Sequence, residues 1–191
     1  MIFRSKNMVR LSDEDLMQEI KNGNQAAFSE LYSRFSKRLY YFFYRMLGSD
    51  NEVANDFLQD IFLKIIHKPE LYNPEYKFSN WIFSIAHNMC KNEYRKREVR
   101  KIVQPEANPD KYAEEFSSDA TTDNENLIAD VFNELKMLDE NQRSILILKY
   151  KENFSLKEIS EILELPVGTI KSRLHYARLE LSRRVADKQI L

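Results

Sequence analysis

The sequence predicts an all-α fold, built as two small helical domains joined by a flexible linker, and three observations predict it. Glycine and proline are scarce, at 3 and 5 of 191 residues, while 43 % of residues are hydrophobic and 12 % aromatic. That is ample for burial with few helix breakers. Apolar residues recur at three- and four-residue spacing, and period-2 alternation is scarce. The pattern lapses between residues 98 and 125, where Pro105, Pro109, Ser117-Ser118 and Thr121-Thr122 stand among few apolar residues. The expected domains are therefore residues 11–97 and 126–185, with 98–125 extended or disordered between them.

Charge is patterned rather than large. The net charge of −1 excludes a wholly basic nucleic-acid coat. Lys91 to Lys101 nonetheless carries six basic residues against Glu93 and Glu98, and Val167 to Leu191 six against Glu180 and Asp187. Gln104 to Asn126 has seven acidic residues and one lysine. Two basic segments and an acidic connector suggest two nucleic-acid contacts and a tether that avoids them. The single Cys90 cannot form an internal disulfide and falls on an apolar helix side, so it reads as a small buried hydrophobe. With no Cys/His cluster, no metal site or cofactor is expected. The N-terminus lacks an apolar signal-peptide core and no run reaches spanning length. A cytoplasmic protein with no membrane contact of its own is expected.

In chain order, residues 1–10 read as frayed. Ser12 with Asp15 caps a helix to about Ile20, and Gly23 suits the left-handed position that ends it. Asn24 caps the next, with Ala27, Phe28, Leu31 and Tyr32, continuing through the aromatic run 39–44 to Leu47-Gly48, with room for a kink. The aromatic run alone suits a strand equally, but its surroundings are helically spaced. Asp50 caps a helix from Val53 to about His67 whose buried side is Ala54, Phe57, Leu58, Ile61 and Ile65. Asp56, Gln59, Asp60 and Leu63 lie opposite. This stripe reads equally as a solvated acidic face or, given exposed Leu63, as a docking face for a protein. Lys68 to Asn80 reads as a loop. Trp81 opens a helix to about Lys96, with Ile82, Ala86, Met89 and Cys90 inward. Ser84, Asn88, Lys91 and Arg95 form one polar stripe, with Trp81, His87, Asn92 and Tyr94 at its margins. Cations, amides and aromatics together suit DNA backbone and exposed bases; a solvated face is the alternative.

In the second domain, Leu127, Ile128, Val131, Leu135 and Leu138 give one helix, and Asp139 with Gln142 caps another carrying Ile145, Leu146 and Leu148. Ser155 and Glu158 form a capping box for a third, with Leu156, Ile159, Ile162 and Leu163 on its apolar face. Leu165-Pro166 ends it, and Gly168-Thr169 opens the last. There Ile170, Leu174, Ala177 and Leu181 share one side, Lys171, Ser172, His175 and Tyr176 the other, and Arg173 and Arg178 flank them. A short helix, a tight turn and a longer basic helix make the helix-turn-helix pattern, whose second helix enters the DNA major groove. An amphipathic hairpin with a solvated basic face is the alternative.

With both basic helices placed, the chain resembles an extracytoplasmic-function sigma factor of the bacterial sigma-70 family, over roughly Leu11 to Leu181. Region two is matched by Ala27-Phe28 with Leu31-Tyr32, by Ala54-Asn55-Asp56-Phe57-Leu58-Gln59-Asp60-Ile61-Phe62, and by Trp81-Ile82-Phe83-Ser84-Ile85-Ala86-His87-Asn88. Region four is matched by Glu158-Ile159, by Leu165-Pro166-Val167-Gly168-Thr169-Ile170-Lys171-Ser172-Arg173-Leu174, and by Ala177-Arg178. Asn55 stands where the family often has an acid, Asp60 where it usually has Glu, and Asn92 where an Asp is common. The resemblance implies a factor that binds core RNA polymerase, directs promoter-specific initiation and aids melting.

The same resemblance assigns roles. Asp56, Gln59, Asp60 and Leu63 would dock on the β′ clamp helices, with the β flap as a second core contact. The loop from Tyr72 to Asn80, and within it Lys77, Phe78, Ser79 and Asn80, would capture an unstacked base of the −10 element. Trp81, Ser84, His87, Asn88, Lys91 and Arg95 would hold the −10 duplex and opened strand. Gly168, Thr169, Lys171, Ser172, Arg173, His175, Tyr176 and Arg178 would contact the −35 element. An anti-sigma factor is a further expected partner. No enzyme activity is expected, since no nucleotide loop or nucleophile–base pair is present. A stand-alone helix-turn-helix regulator leaves the first domain without purpose. A nuclease or deaminase would need metal ligands beyond Asp56 and Asp60.

Overall fold

A computed structural model describes residues 8–103 and 131–188 of the chain. Most of the acidic connector, the expected helix start at Leu127-Ile128 and the expected frayed residues 1–7 lie outside the described residues.

The first domain begins with α1 (Asp13–Lys21), capped by the Ser12 side chain accepting from the Asp15 N–H. Gly23 follows at φ 82°, and Asn24 then accepts from Ala26 and Ala27 to start α2 (Gln25–Met46). This helix spans the whole aromatic run without a break. Leu31, Phe35, Leu39, Phe42, Phe43 and Met46 are buried along it, so packing settles the strand alternative in favour of helix. Asp50 caps α3 (Asn51–His67), which buries Ala54, Leu58, Ile61, Phe62 and Ile65. A single 3₁₀ turn, Pro69–Leu71, interrupts the expected loop. The loop is then closed by Tyr72, whose hydroxyl donates to the Tyr76 carbonyl at 2.6 Å.

Helix α4 runs Phe78–Val103. It starts three residues before Trp81, because the Phe78 N–H donates to the Glu14 carboxylate of α1 at 2.9 Å. A distant acid thus satisfies a free helix-start donor, and no local cap signals it. The helix also continues past residue 97, six residues into the stretch read from sequence as linker.

The second domain has a helical turn at 131–136, then α5 (Glu140–Leu146) capped by Asp139. Helix α5 widens into a π turn, Ile147–Lys151, a feature with no sequence signal. Helix α6 (Leu156–Leu163) carries the complete Ser155–Glu158 capping box. Its end lies at Glu164, in the left-handed region at φ 54°, rather than at Leu165-Pro166. Helix α7 (Val167–Lys188) begins directly after Pro166 and buries Ile170 and Ala177.

The two domains pack together along α4, and the seam is built on arginines. Arg38 bonds to Glu152 at 2.7 Å and lies against the rings of Phe35, Phe83 and Phe154. Phe83 and Phe154 meet edge-on at 5.2 Å. Arg143, buried, donates to the carbonyls of Leu135 and Leu138 in its own domain. It also reaches the Met46 carbonyl at 2.8 Å and the Tyr94 hydroxyl at 2.9 Å in the first. Tyr94 itself donates to Met46. One guanidinium thus satisfies carbonyls from the C-terminal turns of two helices, where positive charge is favoured.

Arg143→Ala takes its donor from the Leu138 carbonyl and leaves the Met46 carbonyl with Tyr94 alone. Urea unfolding should show a loss of about 2–3 kcal/mol, and Arg143→Lys should recover only part of it, because an ammonium lacks the planar fork.

Candidate polymerase and nucleic-acid faces

Three surfaces emerge from this scaffold. The first is the outward side of α3. Asp56, Gln59 and Asp60 are exposed, and Leu63 is 41 % exposed despite being apolar. None of the four makes a side-chain hydrogen bond or ion pair with another described residue. Ile66, one turn on, is 44 % exposed, and Leu71 after the 3₁₀ turn is also out in solvent. These two extend the apolar strip beyond the residues picked from sequence. Ile66 was readable as the i+3 neighbour of Leu63, but Leu71 depends on the path of the loop.

The second surface is the start of α4 and its polar stripe. Asn88 and Arg95 are exposed, and Ser84 and Lys91 half-buried. Ser84 spends its hydroxyl on the Trp81 carbonyl at 2.8 Å. Trp81 is half-buried, its ring 5.1 Å from Tyr72 and 5.7 Å from Phe78. Two expected DNA-facing residues lie elsewhere. Phe78 is fully buried against Phe35 and Tyr72. It is a core anchor of the loop, placed there because its large ring gains more from burial than a loop position offers. His87 is only 7 % exposed, and its Nδ1 has no partner. Burial, aided by nearby Lys91, pushes its pKa down to about 4, so the ring is neutral at pH 7.

Lys77 and Asn80 are both engaged by α6. The Lys77 ammonium reaches Glu158 at 2.7 Å, and the Asn80 amide donates to Glu161 at 2.8 Å. Asn80 is only 5 % exposed. Glu158 also accepts the Ser155 N–H of its capping box, and the two donors hold its pKa at about 2.

The third surface is α7. Gly168, Lys171, Ser172, His175, Tyr176 and Arg178 are exposed, and Thr169 and Arg173 half-buried. Ser172 turns its hydroxyl back to the Thr169 carbonyl. His175 and Tyr176 pack edge-on at 5.5 Å, and Tyr176 is 64 % exposed. A Cβ on Gly168 would meet nothing within 4 Å, so no packing within the chain demands glycine there. Lys171, Arg173 and Arg178 make no ion pair with a described residue. The helix therefore presents free cations and polar side chains along the side opposite Ile170 and Ala177, as DNA reading requires.

Sequence comparison matches these surfaces to known regions. Residues 31–100 match the family model Sigma-70 region 2, and residues 130–181 match Sigma-70, region 4. The chain belongs to the sigma-70 family. It is 29 % identical over 189 residues to the ECF RNA polymerase sigma factor SigW of Bacillus subtilis, covering 90 % of this chain and 95 % of that one. It is 28 % identical over 187 residues to the ECF RNA polymerase sigma-E factor of Escherichia coli K12, covering 92 % and 95 %. Two solved structures share the fold. One is the sigma factor RpoE with the anti-sigma factor NepR from Bartonella quintana (TM-score 0.70, 24 % identity, 83 % of this chain and 96 % of that one). The other is CnrH with the cytosolic domain of CnrY (TM-score 0.68, 23 % identity, 92 % and 97 %). This sigma factor acts in promoter-specific transcription initiation with RNA polymerase. Among its described residues there is no group of acids, histidines or cysteine able to hold a metal, and no helix long and apolar enough to cross a membrane.

His87 gives this sigma factor an acid limb. The unfolded chain binds the His87 proton near pH 6.5, the folded chain only near pH 4. Its contribution is therefore full above about pH 6.5 and lost as pH falls toward 4. Unfolding free energies from urea titrations at pH 7 and pH 5 should differ by about 2 kcal/mol, and His87→Leu should remove most of that difference.

Proposed function

We propose that the three surfaces divide the work of initiation between them. The α3 face of Asp56, Gln59, Asp60 and Leu63, extended by Ile66, docks on the β′ clamp helices of core polymerase. Its mixture of carboxylates, an amide and exposed leucine fits a partner with basic and apolar groups. The loop at Lys77, Ser79 and Asn80, with Trp81 behind it, accepts a flipped −10 base. Asn88, Lys91 and Arg95 hold the neighbouring backbone. Phe78 and His87 support this surface from beneath. Helix α7 enters the −35 major groove with Lys171, Ser172, His175 and Tyr176 toward base edges and Arg173 and Arg178 toward phosphates. An apolar groove between Phe132, Leu146, Tyr150 and Leu181 is the surface offered to the β flap.

The observation that carries this reading is the α7 surface: free cations and exposed polar groups on the second helix of a helix-turn-helix, in a chain matched to both sigma regions. The protein performs no bond chemistry itself, which belongs to the core enzyme, and it works in the cytoplasm. One matched structure holds its sigma factor with the anti-sigma factor NepR, and a comparable inhibitor is the proposed regulatory partner here.

The test is transcription in vitro with core polymerase and sheared genomic DNA from the source organism, mapping RNA 5′ ends. The wild-type chain should create new starts that share upstream motifs. Asp56→Ala with Gln59→Ala should lose co-elution with core and reduce those starts at least tenfold, with helical content unchanged. Retained co-elution would sink the clamp assignment, and no starts despite tight DNA binding would favour a stand-alone regulator.

A separate measurement reads the −35 contact. Arg178→Ala should reduce the slope of log affinity against log salt by about 0.9, the value of one phosphate neutralised. An unchanged slope would remove Arg178 from the phosphate contacts.

A further inference from the structure

We infer that α2 and the helical turn at 131–136 together form a binding site for a small oligophosphate anion, centred on Arg45 and Lys136.

The centre is built from both domains. The Arg45 guanidinium carbon lies 3.4 Å from the middle of the Phe132 ring. Contact that close needs the planar group to rest on the ring, which fixes the direction of its N–H fork. Lys136 follows Phe132 by four residues, so the two share one face of their turn. A guanidinium and an ammonium thus meet over the same ring. Neither side chain makes an ion pair or hydrogen bond with another described residue. The acids on the same elements are committed elsewhere, Glu152 to Arg38 at 2.7 Å and Glu134 toward Arg184 at 4.0 Å. Both cations are half-buried. Burial lowers the pKa of Arg45, and burial with Arg45 and Arg143 nearby lowers that of Lys136. Sheltered like charges of this kind cost stability, and an anion between them recovers it.

A row of cations leads away from this centre. Lys37, Tyr41 and Arg45 recur every four residues on α2 and share one face, over about 12 Å of helix axis. The Lys151 ammonium stands over the Tyr41 ring at 5.7 Å, midway along that row. Lys37 and Lys151 are exposed, and neither forms an ion pair with a described residue. The rings here serve as platforms for cations, Phe132 for Arg45 and Tyr41 for Lys151, and their cation-bearing faces are closed to a stacked base. That favours phosphate groups as the ligand. A phosphate chain is a narrow thread with several charges, and a guanidinium fork takes two of its oxygens at once. A peptide has to bring its backbone into the half-buried seam with each carboxylate. Because the contacts come from both domains, the bound anion stabilises their packing by mass action.

The test is titration calorimetry of the full chain with sodium tripolyphosphate at constant ionic strength. One ligand should bind per chain, roughly tenfold more tightly than sulfate, which carries the charge of a single group. Arg45→Gln and Lys136→Gln should each weaken binding roughly tenfold, while Lys157→Gln on the exposed side of α6 should not. Without ligand, Lys136→Gln should melt no lower than wild type, since it removes an unpaired cation. It should also lose most of the rise in melting temperature that tripolyphosphate gives the wild-type chain. Binding weakened by Lys171→Gln in α7 but not by Lys136→Gln would place the anion on the DNA face and overturn the inference. A hexaglutamate peptide that binds as tightly as tripolyphosphate would overturn the phosphate class. A lower melting temperature for ligand-free Lys136→Gln would show that Lys136 already has a partner in the chain, and the site would fall.

Discussion

The burial of Phe78 is the constraint on which the reading surface depends. Its ring is closed in by Phe35 and Tyr72, and its N–H is held by Glu14. Together they fix both where α4 starts and how it is rotated. With Phe78 inward, Ile82, Ala86 and Cys90 follow at helical spacing and are fully buried. The opposite side then has to carry Asn88 and Arg95. Burial pushes the Cys90 thiol pKa well up, which keeps it a packing residue. A polar stripe that looks designed for nucleic acid is thus also a consequence of where one aromatic ring is buried.

The seam between the domains follows different physics. The buried apolar residues of the two domains form one continuous core, with Phe83 against Phe154 across the seam, and Arg38, Arg143, Lys77 and Asn80 add polar contacts along it. Guanidinium groups tolerate such a place. They satisfy several carbonyls or a carboxylate in a planar fork and lie flat on aromatic rings, as Arg38 does on Phe83 and Phe154. A seam of polar contacts loses less on exposure to water than one of aliphatic side chains, because its groups regain hydrogen bonds there.

Much of the fold was legible because its signals are local. Ser12, Asn24, Asp50, Asp139 and Ser155 each cap the helix expected of them, since a short side chain needs only its own next few N–H groups. The faces of α3 and α7 follow from spacing alone, and the exposure of Leu63 agrees with its place opposite Ala54 and Ile61. The burial of Phe78 and the start of α4 were not legible for one reason. Their environments are made by residues far away in sequence, Glu14 and Phe35 among them. The π turn after α5 and the left-handed Glu164 likewise have no local residue that demands them.

The sequence by itself determined the helices, their faces and the family, because caps, periodicity and the two motif strings act over a few residues each. Only the tertiary structure decided which of the polar residues on those faces are free. Asp56, Lys171 and Arg178 are exposed and pair with no other described residue. Lys77 and Asn80 read the same way, yet carboxylates 81 residues along the chain hold them. Nothing in a local pattern records such a partner, since the pairing arises only when two separately folded helices pack together.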